Sequence, residues 1–227
     1  MDPIEKLVRR VRGTRHGFTD IAAAAEELLA AHTDRDVLRM AKALLASDVH
    51  QARMLATFLL GALAARSPES LRLLRRRVGR DADWRVQEIL ARAFDRYCAD
   101  VGYEAALPVL RAWLRDPVAG VRRAPSEGLR VWTSRPYFRE HPAVAVALLG
   151  RLRRDPSEAV RTSAGNALRD ISRRHADLVR AELERWDASD ERTRQTLALA
   201  GRFLGTRARS ARPARSRRGA AASRRAR

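Results

Sequence analysis

Asp83-Trp-Arg-Val-Gln-Glu-Ile-Leu-Ala-Arg-Ala-Phe-Asp95 is the first full statement of a phrase that the chain repeats. It returns as Val118-Ala-Gly-Val-Arg-Arg-Ala-Pro-Ser-Glu-Gly-Leu-Arg130 and as Ser157-Glu-Ala-Val-Arg-Thr-Ser-Ala-Gly-Asn-Ala-Leu-Arg-Asp170. Aligned on Val86, Val121 and Val160, each copy has a small residue seven positions on (Ala93, Gly128, Ala167), then a large apolar one (Phe94, Leu129, Leu168). The intervals are 35 and 39 residues, and a weaker copy, Ala52-Arg-Met-Leu-Ala-Thr-Phe-Leu-Leu60, lies 34 residues before Val86. Periods of this size mark stacked helix pairs, each burying its apolar stripe against its neighbours. Arginine follows the valine in two copies, with carboxylates beside it, which reads as one chemically loaded face of the stack.

Composition agrees with an all-α solenoid. Hydrophobic residues are 45% of the 227 and aromatics only 5%, with Ala and Leu dominant and few alternating or β-branched runs. The formal charge is +19, and all but Lys6 and Lys42 of the 46 basic residues are arginine. That balance favours a polyanion partner, nucleic acid before an anionic membrane. The single cysteine, Cys98, excludes a disulfide framework and a cysteine-based metal site, and points to a reducing cytoplasm. With no apolar run near 18 residues and no signal-peptide pattern, a soluble, unexported protein is expected.

Ser67-Pro68-Glu69 reads as a cap with proline in the first helical turn, and Asp155-Pro156-Ser157 as a cap for the third copy. Pro125 lies inside the second copy; a kink, or a helix beginning only near Ala124, is the expectation. From Thr206 the composition changes. The last 22 residues hold nine arginines and no acid, so a folded unit over 1–205, still carrying +10, and a disordered Arg-rich segment over 206–227 are expected.

Trp84 and Glu88 share one helix face near its N-terminus. Glu88 and Asp170 belong to different copies that could line a common hollow, with Arg122, Arg123, Glu127 and Arg130 between them. Such an arrangement suits a cationic group held beside a phosphate backbone, because carboxylates stabilise positive charge, aromatic faces hold cations and guanidiniums grip phosphate. Each residue also has a plainer reading: Trp84 as packing, Glu88 as a helix-pair partner of Arg85 and Arg92, Asp170 as a partner of Arg169 and Arg173. Asn166 stands out as a poor helix former in mid-helix. The five histidines show no ligand spacing, and no phosphate loop or Ser-His-Asp order appears.

The phrases Trp84 to Phe94, Val121 to Trp132 and Val160 to Ser172, in this order and at these intervals, resemble the HEAT-like repeat DNA glycosylases of bacterial alkylation repair. The resemblance covers about Asp48 to Trp186. It implies a right-handed superhelical stack of HEAT-like antiparallel helix pairs, and hydrolysis of the N-glycosidic bond of cationic N3- or N7-alkylpurines in duplex DNA. It further implies that Glu88 takes the catalytic carboxylate position and that Asp170 matches a second acid. Trp84, Asn166 and Trp132 would face the lesion, and Arg122, Arg123, Arg130, Arg161 and Arg169 the DNA backbone. No metal or cofactor, no membrane and a monomer in the nucleoid-bearing cytoplasm go with this reading. The chain departs from the family pattern at Glu88, aspartate in one branch, and at Asn166, tryptophan in some members. A non-catalytic binder of DNA structure and a protein-interaction scaffold are the other two readings.

Overall fold

A computed structural model describes residues 3–13 and 18–204. The expected 206–227 segment lies outside the described residues. Among those described, the chain forms thirteen α-helices: α1 (Pro3–Arg12), α2 (Thr19–Ala31), α3 (Asp34–Leu44), α4 (His50–Leu63), α5 (Pro68–Arg76), α6 (Trp84–Val101), α7 (Leu107–Trp113), α8 (Ala119–Gly128), α9 (Pro136–Glu140), α10 (Pro142–Gly150), α11 (Glu158–Ser172), α12 (Ala176–Leu183) and α13 (Glu191–Ala200). No strand occurs among them.

The fold is a HEAT-like solenoid in two layers. Helices α4, α6, α8, α11 and α13 pack each on the next to form the inner layer, while α3, α5, α7, α10 and α12 form the outer layer. The repeat register explains the packing. Val86, Val121, Val160 and Ala52 are all fully buried, so the aligned position points into the seam between layers. The small residues let neighbouring inner helices approach closely. A Cβ at Gly128 would lie 2.1 Å from the carbonyl oxygen of Ala91, and one at Gly165 2.8 Å from Leu199 Cβ. Fully buried Leu55, Leu59, Ile89, Phe94 and Leu168 fill the space between, each contributing about 1.5–3 kcal/mol by leaving water.

Local signals are met in part. Ser67 accepts from the Ser70 N–H and Pro68 opens α5, as its capping sequence predicts. Helix α8, however, begins at Ala119 and carries Pro125 in its interior. It is short, 10 residues against 18 in α6 and 15 in α11, and ends three residues after the proline. Asp155 does not cap α11 directly. It accepts from the Ser157 N–H at 2.9 Å, an Asx turn that recurs at Asp81, Asp116 and Asp187 and aims the chain into each inner helix.

The arginine after the valine ties the repeats together. Arg122 Nη1 donates to the carbonyls of Asp116 and Pro117 in its own turn, at 2.8 and 2.9 Å. Its Nε and Nη2 donate to Asp155 of the next repeat, at 2.6 and 2.7 Å. Arg53 does the same with the Ser47 and Asp48 carbonyls and with Asp81. Arg161 bonds the Asp155 and Pro156 carbonyls and Gln195. The first full copy breaks the pattern with Gln87, whose amide donates to the Val78 and Asp81 carbonyls, both at 2.9 Å. Asp116 pairs instead with Arg75 of the outer helix α5.

Candidate active site

Helix α6 presents Trp84 and Glu88 at its N-terminal end. Asp83 caps the helix by accepting from the Arg85 N–H at 2.8 Å, which puts Trp84 at the first helical position, outside the packed seam. The indole is 67% exposed, the most exposed large apolar side chain among the described residues, and the Arg85 guanidinium lies 5.0 Å from its ring centre. Trp84 borders a cleft of about 680 Å³ shared with Gln87, Gly120 and Arg123. One turn on, Glu88 opens on a cleft of about 490 Å³ with Arg92, Asp95, Glu127 and Arg130. A third cleft, about 690 Å³, lies between Arg123, Glu127, Arg130 and Asn166. Arg123, Glu127 and Arg130 are shared walls, so the three join into one groove across α6, α8 and α11.

Alternating charges run along this groove. Arg123 Nη2 lies 3.9 Å from Glu88 and 3.9 Å from Glu127, near both and hydrogen-bonded to neither. Glu127 is held firmly: the Ser163 hydroxyl donates to Oε2 at 2.7 Å and Arg130 Nη1 to Oε1 at 3.0 Å. Arg130 continues to Asp170 at 2.8 Å, and Arg169 closes on the same carboxylate at 3.2 Å. Burial disfavours the charge on Arg130, but Asp170 and Glu127 outweigh it and hold the guanidinium above its usual range. Of the three acids, Asp170 and Glu127 are saturated by donors, whereas Glu88 accepts no hydrogen bond from any described residue and its side chain is 37% exposed. An unengaged carboxylate beside an exposed indole, ringed by guanidiniums, can face a cation while its surroundings bind an anion.

The structure brings together Trp84, Glu88, Arg123, Arg130 and Asn166. Five other expectations are corrected. Trp132 is fully buried, its ring 4.9 Å from that of Phe138 and its Nε1–H donating to the Ser126 carbonyl at 3.3 Å, so it cannot touch a groove-bound molecule. Arg122 and Arg161 are spent on the inter-repeat ties and face inward. Asp170, enclosed by Arg130 and Arg169 with its side chain 13% exposed, anchors those arginines and is closed to substrate. Arg169, expected on the DNA backbone, lies beside Asp170 with its side chain 18% exposed and its guanidinium 5.6 Å from the Phe203 ring.

Sequence reading passed over Gln87 and Ser163. The repeat register holds a signal for both. Gln87 stands where Arg53, Arg122 and Arg161 stand in the other copies. Ser163 occupies the buried position taken by Ile89 and Ala124. No group of three or more His, Cys, Asp or Glu able to hold a metal occurs among the described residues, and no helix there is long and apolar enough to cross a membrane.

Comparison with known proteins gives this geometry its context. AlkD2 from Streptococcus mutans superimposes with a TM-score of 0.86 at 40% sequence identity, over 88% of this chain and 97% of that one. The structure of smu.31 from Streptococcus mutans UA159 gives 0.84 at 39% identity, over 89% and 100%. The uncharacterized protein YhaZ of Bacillus subtilis is 33% identical over 105 residues, 44% of this chain but only 29% of YhaZ, so the match spans under a third of that relative. The sequence profile of the DNA alkylation repair enzymes matches residues 9–204. The chain belongs to the DNA alkylation repair enzyme family.

Proposed function

We propose that the protein is a DNA glycosylase that hydrolyses the N-glycosidic bond of cationic N3- and N7-alkylpurines in duplex DNA, acting as a monomer. The observation that carries this reading is the pairing of an exposed Trp84 with Glu88, a carboxylate one helical turn on that accepts no hydrogen bond from any described residue and has Arg123 3.9 Å away. A cationic purine is already a good leaving group. The enzyme's task is to stabilise the sugar as it turns oxocarbenium-like and to position the attacking water. Glu88 supplies the negative charge and orients the water; Trp84 lies against the deoxyribose or the charged base. Arg123 and Arg130 border the groove where phosphates of the held strand would lie, and Asn166 contributes a polar contact to its third cleft. Asp170 acts indirectly by fixing Arg130 and Arg169.

The family membership and the +19 charge support a DNA partner. The nine arginines over 206–227 add sequence-independent affinity in this reading. Each phosphate contact they make steepens the salt dependence of log K by about 0.9, so removing the segment flattens that slope. The decisive experiment is release of N7-methylguanine or N3-methyladenine from methylated duplex DNA. Release by the wild type, lost in Glu88→Gln with DNA affinity retained, supports the proposal; no release at any enzyme concentration overturns it. The closure of Asp170 by two guanidiniums favours a second reading, a non-catalytic binder of DNA structure. That reading predicts affinity for bent or branched DNA without any base release.

A further inference from the structure

Arg123 is the loosely held link in an otherwise tightly bonded chain of charges. Its two acidic neighbours differ in kind. Glu127 is fixed from two sides, by Ser163 of α11 and by Arg130 just beyond the end of α8, and Ser163 is itself only 2% exposed and 3.0 Å from the Ser126 hydroxyl. Glu88 accepts no hydrogen bond from any described residue, its side chain is 37% exposed, and Arg123 is its nearest cation. The guanidinium stands 3.9 Å from each. A carboxylate with a full hydrogen-bonded guanidinium would have its charge screened from anything in the groove. A carboxylate with no cation nearby would be neutralised more readily by a proton.

We propose that Glu127 is a positioning residue: pinned by Ser163 and Arg130, it shares Arg123 with Glu88 and so keeps the Glu88 carboxylate charged but uncapped. The inference rests on the reading of Glu88 as the reactive carboxylate. Other charges facing Glu88 do not supply this function. On its own helix Arg92 lies over the Phe18 ring at 4.1 Å, Asp95 pairs with Arg135, and Arg96 pairs with Glu26 and Asp100. Arg85 pairs with Asp83. Across the groove, just beyond the end of α8, Arg130 is engaged by Glu127 and Asp170. From α4, packed behind, Arg53 is bound to Asp81 and His50 lies 3.9 Å from Asp83. Arg123 alone is divided between Glu88 and another acid.

The consequence is specific in sign. Without the Glu127 charge, Arg123 closes on Glu88 and a direct pair forms, which lowers the midpoint at which Glu88 takes up a proton. In the native protein Arg123 already stands 3.9 Å away; closing to hydrogen-bond distance and losing the like charge of Glu127 both favour the ionised carboxylate. The test is an NMR titration of the Glu88 carboxyl carbon in the full-length, DNA-free protein, with Glu88→Gln identifying the resonance. In Glu127→Gln the midpoint falls, and Ser163→Ala, which only loosens Glu127, moves it part of the way. In an Arg123→Gln background the Glu127→Gln shift shrinks to a small fraction, because the carrier is gone. An unmoved midpoint in Glu127→Gln, or a shift of the same size with and without Arg123, overturns the proposal. The acidic limb of the base-release rate moves in the same direction as the titration, with kcat falling about tenfold and KM nearly constant. If the wild type releases no base, the glycosylase reading falls, and the titration still decides whether Glu127 sets the state of Glu88.

Discussion

Replacing Arg122 by alanine separates a residue that holds repeats together from one that grips DNA. The guanidinium makes four hydrogen bonds, two to turn carbonyls and two to Asp155, and its side chain is 11% exposed. Removing it leaves the Asp155 carboxylate, 5% exposed, with the Ser157 N–H as its remaining donor. Breaking a buried pair by deleting one partner costs about 3–5 kcal/mol, because an uncompensated charge stays in the interior. A domain of this size loses about 2–4 °C of Tm per kcal/mol, so Arg122→Ala melts roughly 6–20 °C lower. Asp155→Ala has a comparable effect, and the double mutant is less destabilised than the sum, by a coupling of about 0.5–3 kcal/mol. Urea unfolding followed by circular dichroism measures the stabilities, and DNA affinity against salt is measured on the same variants. An Arg122→Ala protein of unchanged stability, whose salt slope falls by about 0.9, would refute the argument and return Arg122 to the phosphate-gripping role.

Trp132→Ala should behave as a core mutation: a loss of about 3–5 kcal/mol in chemical denaturation, with any loss of function recovered at low temperature where the protein is folded. Gly128→Ala drives a methyl group into the Ala91 carbonyl, 2.1 Å away, and should cost about 1–3 kcal/mol despite the better helix former; a stabilised variant would show that α6 and α8 are not in close contact. Burial raises the Cys98 thiol well above its ordinary value, so a disulfide reagent at pH 8 should leave the native protein unlabelled and react once denaturant is added. Asp187 is held below the usual carboxylate range by the Ser189 N–H and hydroxyl, and Asp190 by the Thr193 hydroxyl and N–H. Because the lowered native values favour the charged forms, their support of the α13 N-terminus is complete above the unfolded carboxylate range near pH 4 and fades as pH falls through the lowered values. Hydrogen exchange in α13 should therefore lose protection on acidification and not on moving from pH 6 to 8.

The stack was legible because core positions obey a register that survives in sequence. Val86, Val121 and Val160 align, and all three are fully buried. Trp84 and Glu88 were legible as a pair because i and i+4 share a helix face whatever the tertiary context. The arginines were not. Arg122 and Arg123 are neighbours in the same phrase, yet one turns into the seam and the other onto the groove. What decides this is the position of Asp155, 33 residues on, and of carbonyls in the preceding turn. Trp132 misled for a related reason: a tryptophan beside a breaker looks like a surface feature until Phe138 folds over it. Pro125 suggested a late helix start, but α8 accommodates it mid-helix, with the chain leaving the helix three residues later.

The Gln87 interruption makes the array mechanically uneven. Three of the four junctions between successive inner helices carry a guanidinium fastened across the seam: Arg53 to Asp81, Arg122 to Asp155, and Arg161 to Gln195. The fourth, between α6 and α8, has at the same repeat position only an amide that serves its own turn, its aspartate is tethered from the outer layer by Arg75, and the guanidinium that crosses it is Arg135, which bonds Asp95 of α6 and the Gly128 carbonyl at the end of α8. The tie at that seam is therefore moved to the C-terminal ends of its helices, and the N-terminal end of α6 lacks the guanidinium fastening that the neighbouring seams carry. That unfastened end is the one with Trp84 and Glu88 on one lip and Arg123 on the other.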